Sequence, residues 1–254
     1  MLAEYIDHMN NDLTVINAAR VSFNSASAEL KEKDIGLINF LARGCSSKEW
    51  QNHIDDLYEL CMEPNDIDEL LHYVKAMPTH WTPFSHAQIT MRETVPIFIA
   101  RQRFKHMVGF TYNEVTRRYV DDEPEFHIPS EWRSRPDKSI KQGSGDDIIY
   151  HLKGDGSDFV GGHYQEFIGK AKELYQRMLE SGIAPEQARM VLPQSMLTSY
   201  WVTGSLYAWA RAYIQRSDDH AQLEIQELAA QWQDIIQPLF PHSWNALTQA
   251  RRFQ

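Results

Sequence analysis

The clearest pattern of hydrophobic and polar positions lies near the carboxyl end of the chain. Its apolar residues recur at steps of three and four: Ile225, Leu228, Ala229, Trp232, Ile235 and Ile236. This spacing places them on one face of a helix. We therefore predict a helix over residues 221–237, which Pro238 stops.

Weaker patterns of the same kind predict further helices over residues 31–43, 97–106, 161–181 and 205–214. Pro96 is suited to open the second of these helices, and Gly109 to end it. Two short helices are predicted within a polar stretch, at 54–61 and 67–74.

Alternation with a period of two predicts a strand where apolar Ala87, Ile89 and Met91 are interleaved with polar residues, Arg92 among them. Residues 13–23 are rich in β-branched side chains and predict a strand followed by a turn. A third strand is predicted near residues 190–202. Strands mixed irregularly with long helices indicate an α+β (mixed α/β) fold. We expect one domain over residues 1–254, with variable segments at 46–78 and 120–158.

The composition is that of a globular protein, with 43% hydrophobic residues, and the formal net charge is −10. An acidic chain is a poor general binder of nucleic-acid backbones. Two cysteines are too few for a disulfide framework and fit a reducing cytosol. The first residues do not resemble a signal peptide, and no run approaches the ~20 apolar residues of a membrane-spanning helix. We therefore expect a cytoplasmic protein with no membrane partner.

The sign of the charge is reversed locally between residues 101 and 118. This stretch holds Arg101, Arg103, Lys105, His106, Arg117 and Arg118, and only one acid, Glu114. Because arginine binds phosphate through paired hydrogen bonds, the stretch is a candidate pocket for a phosphorylated small molecule. A solvated helix face has the same composition, so both interpretations remain open. A second basic set, Arg189, Arg211 and Arg216, is equally ambiguous, since Arg216 could simply pair with the acids that follow it.

Several common sites are missing from the sequence. There is no GxGxxG or GxxxxGK[ST] run, which excludes the two commonest phosphate-binding loops. There is no HExxH run or other helical metal pair, so we expect no metal site.

Four segments resemble flavin-dependent thymidylate synthases. The run ARQRFKHMVGFTYNEVTRRY at 100–119 is similar to that family's ARQ-x-x-RHR followed by NE-x-S-x-RY. Here the RHR triplet is Lys105, His106 and Met107, and Thr116 takes the usual serine position. The runs NAARVSF at 17–23 and HWTPFSH at 80–86 resemble the family's N-terminal motifs. The C-terminal third resembles its R-x-x-LP and R-x-D-x-HAQ-x-EI runs, with Gln215 in a usual leucine position.

This resemblance implies a central, mostly antiparallel sheet flanked by long helices, the thymidylate synthase-complementing fold. It implies reductive methylation of dUMP to dTMP, with 5,10-methylenetetrahydrofolate as carbon donor. FAD would be the cofactor and NADPH the reductant. Family members are homotetramers whose active sites combine several subunits, so self-association is expected here.

The resemblance also assigns roles to individual residues. Thr116, Arg117, Arg118 and Arg189 would lie near the phosphate of dUMP, and Arg216 against its pyrimidine as the catalytic residue. The implied dUMP-binding set is Gln102, Lys105, Glu114, Thr116, Arg117, Arg118, Arg189 and Arg216. The implied FAD-binding set is Ser22, His80, Thr82, Lys105, His106, Met107, Glu114, Ser205, Tyr207 and Arg211.

Met107 is the weakest of these assignments, because a thioether cannot replace a guanidinium. Neither Cys45 nor Cys61 has the context of a nucleophile that attacks the uracil ring, so we expect electrostatic activation instead. Thr116 is interpreted as a phosphate ligand, since no base adjoins it. Two alternatives remain: a flavoprotein of this fold acting on another pyrimidine nucleotide, and a non-catalytic nucleotide-binding protein.

Overall fold

The computed structural model describes residues 1–45, 80–118, 123–136, 143–152 and 158–249. The short helices predicted at 54–61 and 67–74 lie outside the described residues. So does the whole of the first variable segment, 46–78.

Four antiparallel strands form one sheet in the order β1-β2-β4-β3. They are β1 (Leu2–Met9), β2 (Gln88–Pro96), β3 (Phe110–Glu114) and β4 (Leu197–Ser205). The predicted alternation in β2 is confirmed, because Ile89, Met91 and Val95 are fully buried while Arg92 is exposed. β1 and β3 were not predicted.

The described residues contain eight α-helices: α1 (Asp12–Arg20), α2 (Glu32–Leu41), α3 (Ile97–Arg103), α4 (Val160–Glu180), α5 (Pro185–Ala188), α6 (Leu206–Arg216), α7 (Leu223–Leu239) and α8 (Pro241–Thr248). Short 3-10 turns lie at Val21–Phe23, Thr82–Ser85 and Arg189–Val191. The predicted helices at 31–43, 161–181, 205–214 and 221–237 are confirmed within a few residues. None of the helices described is long and apolar enough to cross a bilayer.

Residues 13–23 were predicted as a strand, and this prediction is wrong. They form α1 and the 3-10 turn that follows it. The Asn11 side chain accepts a hydrogen bond from the Thr14 backbone N–H at 3.2 Å, which caps the helix. Val15 and Ile16 are then fully buried. Their burial outweighs the intrinsic strand preference of β-branched residues.

Three predicted boundaries also differ from the structure. α3 ends at Arg103 rather than at residue 106, and Gly109, with φ +81°, belongs to the turn before β3. The third strand begins at Leu197, because residues 189–191 form a 3-10 turn. Pro238 lies inside the last turn of α7 rather than beyond it. A proline there removes only a donor near the helix end, which the helix tolerates.

The core lies between the inner face of the sheet and helices α6 and α7. Trp209 of α6 and Trp232 of α7 are fully buried and meet edge to face, with ring centroids 5.5 Å apart. The predicted apolar face of α7 is confirmed, since Ile225, Leu228 and Ile236 have no exposed surface. The mixed fold with an antiparallel sheet is therefore as predicted.

Candidate active site

A cavity of about 840 Å³ opens beside the carboxyl end of β3. Four of the predicted dUMP ligands line it: Glu114, Thr116, Arg117 and Arg189. Residues 114–117 reach it as β3 ends, and Arg189 reaches it from the 3-10 turn after α5. The Thr198 hydroxyl donates to the Glu114 carboxylate at 2.7 Å and so fixes one side chain of the lining.

Arg92 also lines this cavity, and the motif comparison missed it. Its Nε donates to the Ser199 hydroxyl across the β2–β4 pair at 3.0 Å. The alternation of β2 carried a signal for it, because Arg92 occupies an outward position among apolar residues. Arg92, Arg117 and Arg189 therefore share one cavity, whose lining also includes the carboxylates of Glu114, Glu123 and Glu125.

A second cluster, the turn cluster, consists of Gln102, His106 and Arg216. The Nε of Arg216 donates to Nε2 of His106 at 2.8 Å, and one Nη donates to the Gln102 carbonyl at 3.4 Å. The Gln102 side chain donates to Gln222 at 2.6 Å. Lys105 is exposed on the same turn. The turn cluster and the cavity stand at opposite ends of β3, which is about 13 Å long.

The electrostatics of the turn cluster favour a neutral imidazole. Burial, followed by the charges of Arg103, Arg216 and Arg211, lowers the pKa of His106 to about 4. At neutral pH, His106 therefore accepts the hydrogen bond from Arg216 at Nε2. Burial, together with the charge of Arg103, also lowers the pKa of Arg216 from its ordinary value. Such a guanidinium gains by meeting an anionic ligand.

Half of the predicted flavin ligands lie on a third surface, where the turn Thr82–Ser85 contacts both α1 and α6. Ser22, His80, Thr82 and Arg211 are exposed there. Tyr207 stacks on Trp81, with ring centroids 5.6 Å apart and planes 20° apart. The Arg211 guanidinium lies 5.7 Å from the centre of the Tyr207 ring.

The aromatic character of this third surface was not predicted. Trp81 is 41% exposed, and Phe40, 46% exposed, stacks on His80 at 5.6 Å. Trp81 lies inside the HWTPFSH run, so its position was visible in the sequence. Phe40 belongs to α2 and lies outside the motifs, so the sequence did not place it on this surface.

Three predicted ligands lie apart from these groups. Ser205 is 6% exposed, and its hydroxyl accepts from the Ala208 N–H as the N-cap of α6. Arg118 is exposed and is not part of the cavity lining, although its backbone N–H donates to the Thr116 hydroxyl at 3.4 Å. Met107 is 74% exposed and brings no charge to the turn.

Cys45 is buried, and its thiol donates to the Leu41 carbonyl at 3.6 Å. A buried thiol that donates to a backbone carbonyl is not placed as an exposed nucleophile. Cys61 lies outside the described residues.

Comparison with known proteins agrees with these features. The family model for the thymidylate synthase complementing protein matches residues 4–242. The flavin-dependent thymidylate synthase of Thermosipho africanus is 31% identical over 245 residues, which cover 95% of this chain and 88% of that protein. That of Thermotoga neapolitana is 30% identical over 250 residues, 96% of this chain and 88% of the relative.

A solved structure gives the same result for the fold. The UMP/dUMP methylase of Streptomyces cacaoi, crystallised with 5-Br dUMP, superposes with a TM-score of 0.69 at 26% identity. The match covers 97% of this chain and 94% of that one. The chain therefore belongs to the family of thymidylate synthase complementing proteins, the flavin-dependent thymidylate synthases.

Proposed function

We propose that this chain methylates dUMP to dTMP as a flavin-dependent thymidylate synthase, and that residues 1–254 act as one catalytic domain in the cytoplasm. The proposed overall reaction takes dUMP, 5,10-methylenetetrahydrofolate, NADPH and a proton to dTMP, tetrahydrofolate and NADP⁺. The observation that carries the proposal is the cavity with Arg92, Arg117 and Arg189 in an otherwise acidic chain.

The cavity fits a nucleoside monophosphate. Guanidinium groups bind phosphate oxygens in pairs, and the Thr116 hydroxyl is a further donor. The Glu114 carboxylate would repel phosphate oxygens, and as a hydrogen-bond acceptor it suits a ribose hydroxyl or a ring N–H instead. In this assignment the phosphate lies against Arg117 and Arg189.

The turn cluster suits the pyrimidine ring. A guanidinium beside a ring carbonyl stabilises the negative charge that develops when C5 acts as a nucleophile. Neutral His106 accepts the hydrogen bond from Nε of Arg216. This contact fixes the direction in which the Nη groups point. Arg216 thereby performs the activation for which other enzymes use a cysteine.

The third surface fits a flavin. An exposed aromatic pair can stack on a planar ring, and Arg211 beside it can meet a diphosphate. Ser22, His80, Thr82, Tyr207 and Arg211 would hold FAD, with Lys105 and His106 reaching it from the turn. When bound and reduced, FAD supplies the hydride that completes the methyl group.

A complete site is proposed to need more than one copy of the chain. The cavity and the turn cluster are separate in one protomer, since Gln102, His106 and Arg216 are absent from the cavity lining. The outer face of the sheet exposes Trp201 by 53% and Leu2 by 50%, which offers an apolar surface for association. A homotetramer in which one copy's cavity faces another's turn cluster accounts for both observations.

The direct test is a turnover assay with purified protein, dUMP, 5,10-methylenetetrahydrofolate and NADPH, with and without added FAD. We expect dTMP to form and its rate to depend on FAD. Absence of dTMP from a flavin-loaded, folded protein would exclude the proposal.

A second candidate substrate is UMP, because the Streptomyces cacaoi neighbour is a UMP/dUMP methylase. UMP, dUMP and dCMP should be compared at equal concentration in the same assay. We expect the highest kcat/KM for dUMP. An equal value for UMP would assign a broader pyrimidine nucleotide activity.

A further inference from the structure

A charged residue is buried in the core directly behind the turn cluster. Arg103, the last residue of α3, has no exposed surface, and neither has its partner Glu93 on β2. The Nε of Arg103 lies 3.1 and 3.3 Å from the two Glu93 carboxylate oxygens. Buried ion pairs rarely add net stability compared with well-packed apolar side chains. A buried ion pair in the core is therefore a candidate for a role other than stabilising the fold.

The surroundings of Arg103 hold its charge in a fixed place. Its guanidinium carbon lies 4.4–5.3 Å from the ring centres of Phe110, Tyr112, Trp209 and Trp232. Ring faces attract cations, most strongly when water is excluded. One Nη nitrogen, Nη2, has no hydrogen-bond partner among the described residues, so on that side the guanidinium is held by the surrounding rings.

A chain of hydrogen bonds leads from this ion pair to the site. Nη1 of Arg103 donates to the Tyr112 hydroxyl at 2.6 Å, and that hydroxyl donates to the His106 carbonyl at 2.7 Å. The His106 imidazole in turn accepts from Arg216 at 2.8 Å. The path thus links Glu93, Arg103, Tyr112, His106 and Arg216 without a gap.

We propose that Arg103 is a positioning residue of the active site: with Glu93 and Tyr112 it fixes the His106 turn so that Nε2 of His106 holds Arg216 in its working orientation. The inference rests on the proposed function only for the role of Arg216. The family signature leaves residue 103 unspecified, so Arg103 is not one of the motif positions from which ligands were inferred.

Arg103 acts on His106 through its charge as well. The charged groups that act on the imidazole come from two helices, Arg103 at the end of α3 and Arg211 and Arg216 on α6. All three are cations and lower the pKa of His106. Protonated His106 could not accept from Arg216, so the buried cation also preserves this hydrogen bond.

The first test compares two single hydroxyl deletions. Tyr112→Phe removes the link between Arg103 and the His106 carbonyl but keeps the ring. Tyr200→Phe is the matched control, because its hydroxyl donates to the same Glu93 carboxylate at 2.5 Å but does not reach His106. We expect kcat to fall roughly tenfold in Tyr112→Phe, with KM for dUMP within about twofold. Tyr200→Phe should keep its kcat within about twofold, whatever stability it loses. Equal losses of kcat in both variants would overturn the inference.

The second test needs no turnover. In the wild-type protein without ligand, the His106 imidazole signal in NMR should not titrate between about pH 5.5 and 8. The double variant Glu93→Gln/Arg103→Met removes both charges of the buried pair, including the cation that acts on His106, and keeps side chains of similar size. Burial, Arg211 and Arg216 remain, so the pKa of His106 should rise but stay below its ordinary value of 6.5. A signal assigned with His106→Gln and unchanged in the double variant would contradict the charge effect.

The two tests separate this inference from the proposed function. If wild-type protein made no dTMP, the proposed function would fail, while the titration of His106 would still decide whether Arg103 controls the turn. If the double variant failed to fold, the Tyr112→Phe and Tyr200→Phe pair would decide.

Discussion

Arg216 differs from three other buried or partly buried arginines of the chain in what it binds. Arg20, Arg103 and Arg133 each contact a carboxylate, from Asp34, Glu93 and Glu224. The described hydrogen bonds of Arg216 go to an imidazole and a backbone carbonyl, which are both neutral at pH 7. Its positive charge is therefore available to a ligand.

Replacing this residue should separate chemistry from cofactor binding. In Arg216→Ala we expect dTMP formation to fall at least about 100-fold, because a preorganised charge at the reacting ring is lost. Flavin absorbance should remain in the purified variant. Turnover within a few-fold of wild type would disprove the role, and Arg101→Ala, at an exposed position on α3, is the control.

Replacing a cavity arginine should affect the nucleotide instead. We expect Arg189→Ala to weaken dUMP binding by roughly ten- to a hundredfold, the effect of one lost charge-assisted contact. Flavin affinity should change little, as measured by titration of each ligand. Arg118→Ala should have the smaller effect, since Arg118 does not line the cavity. The reverse order would contradict this assignment of the phosphate.

The low pKa of His106 has a consequence for stability. Its folded pKa of about 4 lies below the ordinary 6.5, so the unfolded chain takes up this proton first as the pH falls. The contribution of His106 to the free energy of unfolding is intact above 6.5 and is lost progressively toward 4. Urea unfolding at pH 7 and pH 5 should show a smaller loss in His106→Gln than in wild type. An equal loss would mean that His106 is not held neutral.

At the scale of single residues, the sequence located the ligands that lie in motifs. It assigned no role to Arg92, Arg103 or Trp81, because the position of each was visible in the sequence but its contacts in the fold were not. In addition, the sequence does not distinguish a basic residue that binds phosphate from one that is only solvated on the surface. Only the cavity separates Arg117, which lines it, from Arg118, which does not.

At the scale of elements, the important segment is the turn over residues 104–109, which carries His106 of the turn cluster. It joins α3 to β3, and Gly109 adopts a φ of +81° within it. A Cβ built on Gly109 would lie 2.8 Å from the Cβ of Ala208, so the turn packs closely against α6. The glycine therefore couples the His106 turn to the helix that carries Arg216.

Gly109→Ala should consequently lower both stability and turnover. We expect about 1–3 kcal/mol of destabilisation, from the left-handed backbone and the overlap with Ala208. Gly36→Ala is the matched control, because it lies inside α2 with no atom within 4 Å of the added Cβ. That variant should be neutral or stabilised by up to about 1 kcal/mol. Chemical denaturation of both variants measures the difference, and equal behaviour would show that the turn is not closely packed.

Long helices such as α7 were predictable from the sequence, because the apolar residues that face the core recur with the period of a helix. β1 was not, since a bulge between Tyr5 and Asp7 breaks its alternation. β3 is an edge strand of five residues that, among the described strands, pairs only with β4. α1 was mistaken for a strand because its N-cap by Asn11 was overlooked. The Asp12 carboxylate accepts from the His242 and Ser243 N–H groups across the fold, which local pattern cannot reveal.

At the scale of the whole molecule, the mixed fold followed from the pattern of elements and the family from the ordered motifs. The arrangement of the site did not, because the proposed joining of the cavity and the turn cluster by association leaves no mark in the sequence of one chain. Because the net charge is −10, a basic cluster is conspicuous in the sequence. The net charge does not show which basic residues come together in the fold.

Complementation between two impaired variants, assayed at a dUMP concentration too low for either variant alone to turn over appreciably, tests this arrangement most directly. Arg189→Ala lacks a cavity ligand, and Arg216→Ala lacks the turn cluster's guanidinium. If each site combines two copies, coexpression should restore up to about a quarter of the wild-type dTMP-forming activity, from sites that receive both intact residues. Arg117→Ala coexpressed with Arg189→Ala should restore none, since both residues line one cavity. No recovery in mixed oligomers of the first pair would contradict a site built from two copies.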